Sequence, residues 1–225
     1  MSDKLKFGFA LFLVVSFIPF MVHAQSQSQA KASSPLTSGD YFPVGIFNES
    51  PQLDRSFASW YGRTLAALSE PSLFELRTDM TAQVYRFLWL PSFHRPISVR
   101  LTIRPDGSGS VVARSVDYHA GLLTKDQKDS GKLLLDATNT LNEVQVREVL
   151  NQLQDRNFWS TTPRDVSLGA DGAEWLMEGV NGGKYHLVNR WSPESPGNRA
   201  GSNRDFALLC RYFLKLGGVD VKDLY

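Results

Sequence analysis

"ISVRLTIRPDGSGSVVARSVDY", residues 97–118, decides the fold class of this chain. Ile97, Val99, Leu101 and Ile103 alternate with Ser98, Arg100 and Thr102, the period of a strand with one buried and one wet face. "RPDGSG" (104–109) is a turn, and "SVVARSVDY" (110–118) returns as the next strand. "AQVYRFLWLP" (82–91) supplies a strand before them, so the unit is an antiparallel meander of at least three strands. "DGSGS" (106–110) has the look of a phosphate-cradling loop, but β-branched residues follow it where such a loop needs a helix.

Working outward, Leu53, Phe57, Trp60, Tyr61, Thr64, Leu65 and Leu68 recur at helical spacing, and the Glu70-Pro71 step ends that helix. Residues 119–131 read as a long polar connection, and "KLLLDAT" (132–138) adds a short strand. Leu141, Asn142, Gln145 and Val146 then combine a capping box with a hydrophobic staple, opening a helix whose stripe is Val146, Val149, Leu150 and Leu153. "DGAEWLMEGVNGGKYHLVNRWSP" (171–193) is a hairpin, and a last helix over about 205–216 stops at Gly217-Gly218. The order specifies an α+β domain: an antiparallel sheet, built from a meander and a C-terminal hairpin, with helices covering one face.

The termini set the compartment. Lys4 and Lys6, the apolar run Phe7–Met21 and Val22-His23-Ala24 have the layout of a secretory signal peptide cut after Ala24. That run falls short of the roughly 20 residues of a membrane-spanning helix. Residues 25–40, "QSQSQAKASSPLTSGD", are a polar leader, and 41–225 form one domain by size. Periplasmic or secreted location is expected, with no membrane insertion after cleavage. Loss of Lys4, Lys6 and Asp3 from 24 basic and 23 acidic residues leaves 22 of each. That balance argues against nucleic acid as a partner. Cys210 is the single cysteine, so no intrachain disulfide forms; Phe206, Leu209, Cys210 and Phe213 make one apolar helical stripe, which buries the thiol. Asn48-Glu49-Ser50 is a formal glycosylation sequon weakened by Pro51.

The sequence carries no HExxH, paired CxxC, GxxxxGK[ST], GxGxxG or GxSxG motif. His94, His119 and His186 follow the signal, and none has ligand-type spacing to another, so no metal or cofactor is expected. His94, in "LPSFHRPI", and His119, after the third strand, could line a cleft at one end of the sheet. The hairpin concentrates the remaining candidates: Glu174, Trp175, Glu178, Tyr185, His186, Arg190 and Trp191. A two-residue Gly182-Gly183 turn pairs Glu178 with Leu187 and Trp175 with Arg190. A two-residue Asn181-Gly182 turn pairs Glu178 with Tyr185 and Glu174 with Asn189. A three-residue loop pairs Glu178 with His186 and Glu174 with Arg190, and gathers Trp175, Met177, Tyr185, Leu187 and Trp191 on one face. Cross-strand pairs contribute about 0.2–1 kcal/mol each, so the third register is expected on its two ion pairs and aromatic cluster.

"EPSLFEL", "YRFLWLPSFHRPISVRLTI", "LNEVQVREVLNQL" with "FW", and the hairpin followed by a terminal apolar helix resemble a group of uncharacterised bacterial exported proteins. The resemblance spans about Glu70 to Leu216, and the hairpin is its most specific part. It implies the domain boundaries and a bacterial envelope setting; the group has no established activity. The leading expectation is an exported, non-enzymatic α+β module that binds a small ligand or a protein partner in the envelope, with Trp175, Trp191, Tyr185, His94 and His119 as candidate contacts. The alternative is a small hydrolase using His186 as a base held by Glu178, with Glu174 and Arg190 alongside. An immunity or inhibitor protein is a third reading.

Overall fold

The computed structural model describes residues 41–118, 131–165, 169, 171–198 and 200–220. The signal peptide and leader expected at 1–40, and His119 with nearly all of its connection, lie outside the described residues. Helix α1 spans Pro51–Ala67 and α2 Leu73–Leu76; strands β1 (Gln83–Pro91), β2 (Ile97–Ile103), β3 (Gly109–Val116) and β4 (Leu133–Leu141) follow. Helix α3 (Glu143–Asp155), a 3₁₀ turn at Phe158–Ser160, β5 (Ala173–Asn181), β6 (Lys184–Trp191) and α4 (Ser202–Leu216) complete the order. The six strands form one sheet in the order β4-β3-β2-β1-β5-β6, and every pairing is antiparallel. The α+β class with a meander and a C-terminal hairpin is therefore as the sequence implies. Strand β4 runs three residues beyond the expected "KLLLDAT".

Local rules account for the helix ends. Ser50 caps α1 by accepting from the Leu53 amide, with Pro51 at the first helical position, where its missing N–H costs nothing. Asn142 accepts from the Gln145 amide while the Gln145 side chain accepts from the Asn142 amide, the reciprocal capping box read from the sequence. Buried Asp54 accepts from the amides of Gly45 and Phe47 at 2.8 and 3.0 Å, tying the segment before α1 to the helix.

The sheet has cover on both faces, where one was expected. On the first face, Tyr85, Phe87, Trp89, Val99, Leu101, Trp175 and Met177 pack with Val146, Val149 and Leu153 of α3 and Phe206, Cys210 and Phe213 of α4. On the second, Leu88, Leu90, Leu176 and Leu187 pack with Tyr61, Leu65 and Leu68 of α1 and with Tyr41, Phe42 and Phe47. The polar rows of the strands, which alternation assigns to solvent, lie partly beneath this second layer. Ser98 of β2 is completely buried there.

Candidate functional site

The hairpin turn fixes the position of every candidate side chain. Asn181 pairs with Lys184, so the loop is the two residues Gly182 and Gly183. Their φ angles of +56° and +81° are both in the left-handed region, as a type I′ turn demands and only glycine supplies without strain. The three-residue loop does not form. Glu178 faces Leu187, Trp175 faces Arg190, Glu174 faces Trp191, and His186 faces Gly179. A shift of one residue moves a whole strand's side chains to the other face. The expected pairs Glu178–His186 and Glu174–Arg190 are thus replaced, and so is the single aromatic face: Trp175, Met177, His186, Val188 and Arg190 occupy the first face, and Glu174, Glu178, Tyr185, Leu187 and Trp191 the second.

The second face holds a buried charge network. Arg86, opposite Glu178 across β1 and β5, donates from Nε and Nη2 to Glu178 Oε2 at 3.0 and 2.5 Å. The half-buried Tyr185 donates its hydroxyl to Glu178 Oε1 at 2.9 Å. Arg86 Nη1 donates to the Pro71 carbonyl at 2.6 Å and lies 3.5 Å from Glu70 Oε2. Glu70 also receives Arg100 Nε at 2.8 Å and pairs with Arg114 at 3.5 Å. Arg86 and Glu178 are wholly inaccessible. Burial alone would depress the Arg86 pKa, but the Glu178 and Glu70 carboxylates hold it above its ordinary value. Burial, reinforced by Glu178, pushes the Tyr185 hydroxyl well above 10.0. Removing one partner from such a pair strands the other charge, so the network makes pairing of β1 with β5 intolerant of slippage.

A second buried group lies farther along the same face. Glu174 accepts from Asn189 Nδ2 at 2.6 Å, and burial raises its pKa against the opposing pull of Asn189 and Arg164. Asn189 also donates its amide to the Pro163 carbonyl at 2.7 Å. The Arg164 guanidinium stacks 3.9 Å from the Phe57 ring centre and lies 3.4 Å from Glu49. The Tyr61 hydroxyl, buried beside Glu174, falls outside hydrogen-bonding geometry, and burial raises its pKa well above 10.0.

On the first face His186 is wedged against Phe158 and Trp159, ring centres 5.1 and 6.0 Å away. Desolvation lowers its pKa, opposed by the Thr161 and Phe158 carbonyls, and its Nε2 is buried without a hydrogen-bond partner. Arg190 donates from Nε to Asn203 at 2.9 Å and from Nη2 to the Thr162 carbonyl at 2.8 Å, which anchors α4 and the 162–163 segment. Trp175 is fully buried against Phe87, whereas Trp191 is half-buried on the opposite face. His94 is exposed and stacks on Trp89 with ring centres 6.1 Å apart.

The chemistry open to these groups is narrow. Cys210 is buried, and burial raises its thiol pKa well above 9.0, against use as a nucleophile. Among the described residues no three His, Cys, Asp or Glu side chains converge as a metal site, and no helix is long and apolar enough to cross a membrane. Two open clefts, of about 450 and 470 Å³, contain none of the hairpin candidates. One is lined by Pro193, Arg204, Leu208 and the Glu194–Arg211 ion pair, the other by Arg104, Glu143, Arg147 and Leu150. Sequence reasoning missed Glu70, Arg86, Arg100 and Arg114. Arg86 left a signal, being the one charged residue inside the apolar strand "QVYRFLWLP". No protein-family model and no curated protein matches this chain.

Proposed function

We propose that this protein is an exported, non-enzymatic α+β module of the cell envelope that binds a protein partner or a small ligand. The supporting observation is that Glu174, Glu178 and Arg190 of the hairpin are already engaged inside the fold. Glu178 is held by Arg86 and Tyr185, Glu174 by Asn189, and Arg190 by Asn203 and backbone carbonyls. A general base must reach the proton that it abstracts. His186 and Glu178 lie on opposite faces of the sheet, so the hydrolase reading loses its acid–base pair. Buried Trp175 gives a ligand no surface, whereas His94 is exposed and Trp191 half-buried. An immunity or inhibitor role is the same reading with an enzyme as partner.

The test is purification of the chain from an envelope fraction, N-terminal sequencing, and assay against ester, peptide, phosphoester and glycoside substrates. The expected result is an N-terminus at Gln25 and no turnover. Turnover that disappears in His186→Gln or Glu178→Gln, with the melting profile retained, would overturn the non-enzymatic reading. An uncleaved N-terminus would overturn export.

A further inference from the structure

The two edges of the sheet are finished differently. Beside β6 the chain itself supplies a cover: Arg164 forms a parallel bridge to Asn189, and Pro163 accepts the Asn189 amide. At the other edge, nothing among the described residues pairs with the outer side of β4. This strand is nine residues long, "LLLDATNTL", against about 5–6 for a typical strand. Natural sheets blunt exposed edges with proline, lysine, inward charges or short length, because a row of unpaired N–H and C=O groups templates another strand. β4 has no proline and no basic residue. Its one charge, Asp136, is bound within its own sheet by Arg114 at 3.0 Å. The register irregularity at Ser115/Val116 skips Leu134 near the start of the strand and leaves Leu135 to Leu141 in regular pairing.

We propose that β4 is the interface of a homodimer, two copies pairing antiparallel about a two-fold axis through Ala137 and joining their sheets into one. The sequence of β4 is complementary to itself in this register. Ala137, small enough for close approach, meets its own copy; Asp136 faces the partner's Thr138; Leu134 faces the partner's Thr140; Leu133 faces the partner's Leu141. The regularly paired centre of the strand, Leu135 to Asn139, lies around the axis, and the only charge on the strand meets a hydroxyl. Moving the axis to Asp136 would set two carboxylates opposite each other, which is unfavourable. Leu134, Asp136, Thr138 and Thr140 are exposed, so no helix among the described residues covers the strand on that face. Leu134, 57 % exposed, would lose that apolar exposure. An isologous contact of this kind closes on itself and stops at two copies.

Sedimentation equilibrium of the exported chain tests the interface, with Thr138→Asp and Thr138→Lys as register-specific variants. Thr138 is an exposed edge residue, and matched circular-dichroism melts confirm that both variants fold. The wild type is expected to be a dimer. Thr138→Asp places a second carboxylate opposite Asp136 at two symmetric positions and should weaken dimerisation on the order of tenfold. Thr138→Lys places an ammonium there and should tighten it. A monomer at every concentration, or a dimer that responds to neither variant or equally to both, overturns the proposal.

Discussion

The two faces of the β5–β6 hairpin solve the same packing problem with opposite chemistry. On the first face Trp175, Met177 and Val188 join an apolar core under α3 and α4, and His186 is a neutral wedge against Phe158 and Trp159. On the second, Glu178 and Glu174 are buried as deeply, yet each is held by a specific partner. An apolar face tolerates small adjustments of shape. A buried charge tolerates no loss of its partner. The hairpin therefore owes its cohesion to one face and its unique pairing with β1 to the other.

That contrast can be broken most severely at Arg86. Arg86→Met leaves Glu178 uncompensated and should cost about 3–5 kcal/mol in urea unfolding. Adding Glu178→Leu should recover part of that loss. A cost below about 0.5 kcal/mol for the single variant would mean that the second face is merely a solvated surface. On the apolar face Gly179→Ala is the sharpest probe, because a Cβ there would meet Phe158 Cε1 at 2.7 Å. Overpacking of this kind should cost about 1–3 kcal/mol, and a Phe158→Leu background should relieve it; a neutral melting temperature would show that the Phe158 wedge yields freely. Away from both faces, Asn142→Ala removes the cap of α3 and should cost about 1 kcal/mol, read as an equal fall in stability with an unchanged urea slope.

The smallest effect is on pH dependence. The folded state holds the His186 pKa below its ordinary 6.5, so the unfolded chain binds the proton more readily. Stability from this group is complete above about 6.5 and is lost as pH falls through the folded value. Glu174 has the opposite sign: its raised pKa favours the neutral acid, and its contribution is complete below 4.5 and lost as pH rises through the folded value. His186→Phe removes the first effect alone. Melting temperatures taken downward from neutral pH should fall less steeply in that variant, and identical slopes would show that His186 is as protonatable in the fold as outside it.

How much was legible differs by region for a physical reason. Strand β2 was readable to the residue because a strict alternation and a Gly-containing turn are local signals. The α3 start was readable because a capping box closes within four residues. The hairpin register differs from the one its charges suggest, although its turn is in plain view. Cross-strand ion pairs favour the three-residue loop only if β5 and β6 are each other's sole neighbours, whereas two adjacent glycines already favour the type I′ loop. Glu178's charged partner, Arg86, is 92 positions away in β1. No pairing within residues 171–193 could reveal it. The second covered face escaped for a related reason: polar alternation on β2 and β3 looks the same whether Arg100 and Arg114 meet water or a carboxylate such as Glu70.

The sequence by itself determined the α+β class, the meander, the helix ends and the buried state of Cys210, since each depends on period or capping within a few residues. Tertiary structure alone decided that the hairpin's reactive-looking side chains would be divided between two faces. It also decided that β1 would supply the charged partner for Glu178 and that the β6 edge would be bridged by Arg164. Those outcomes depend on which strands become neighbours, and a cross-strand contact leaves no spacing rule in the chain that makes it.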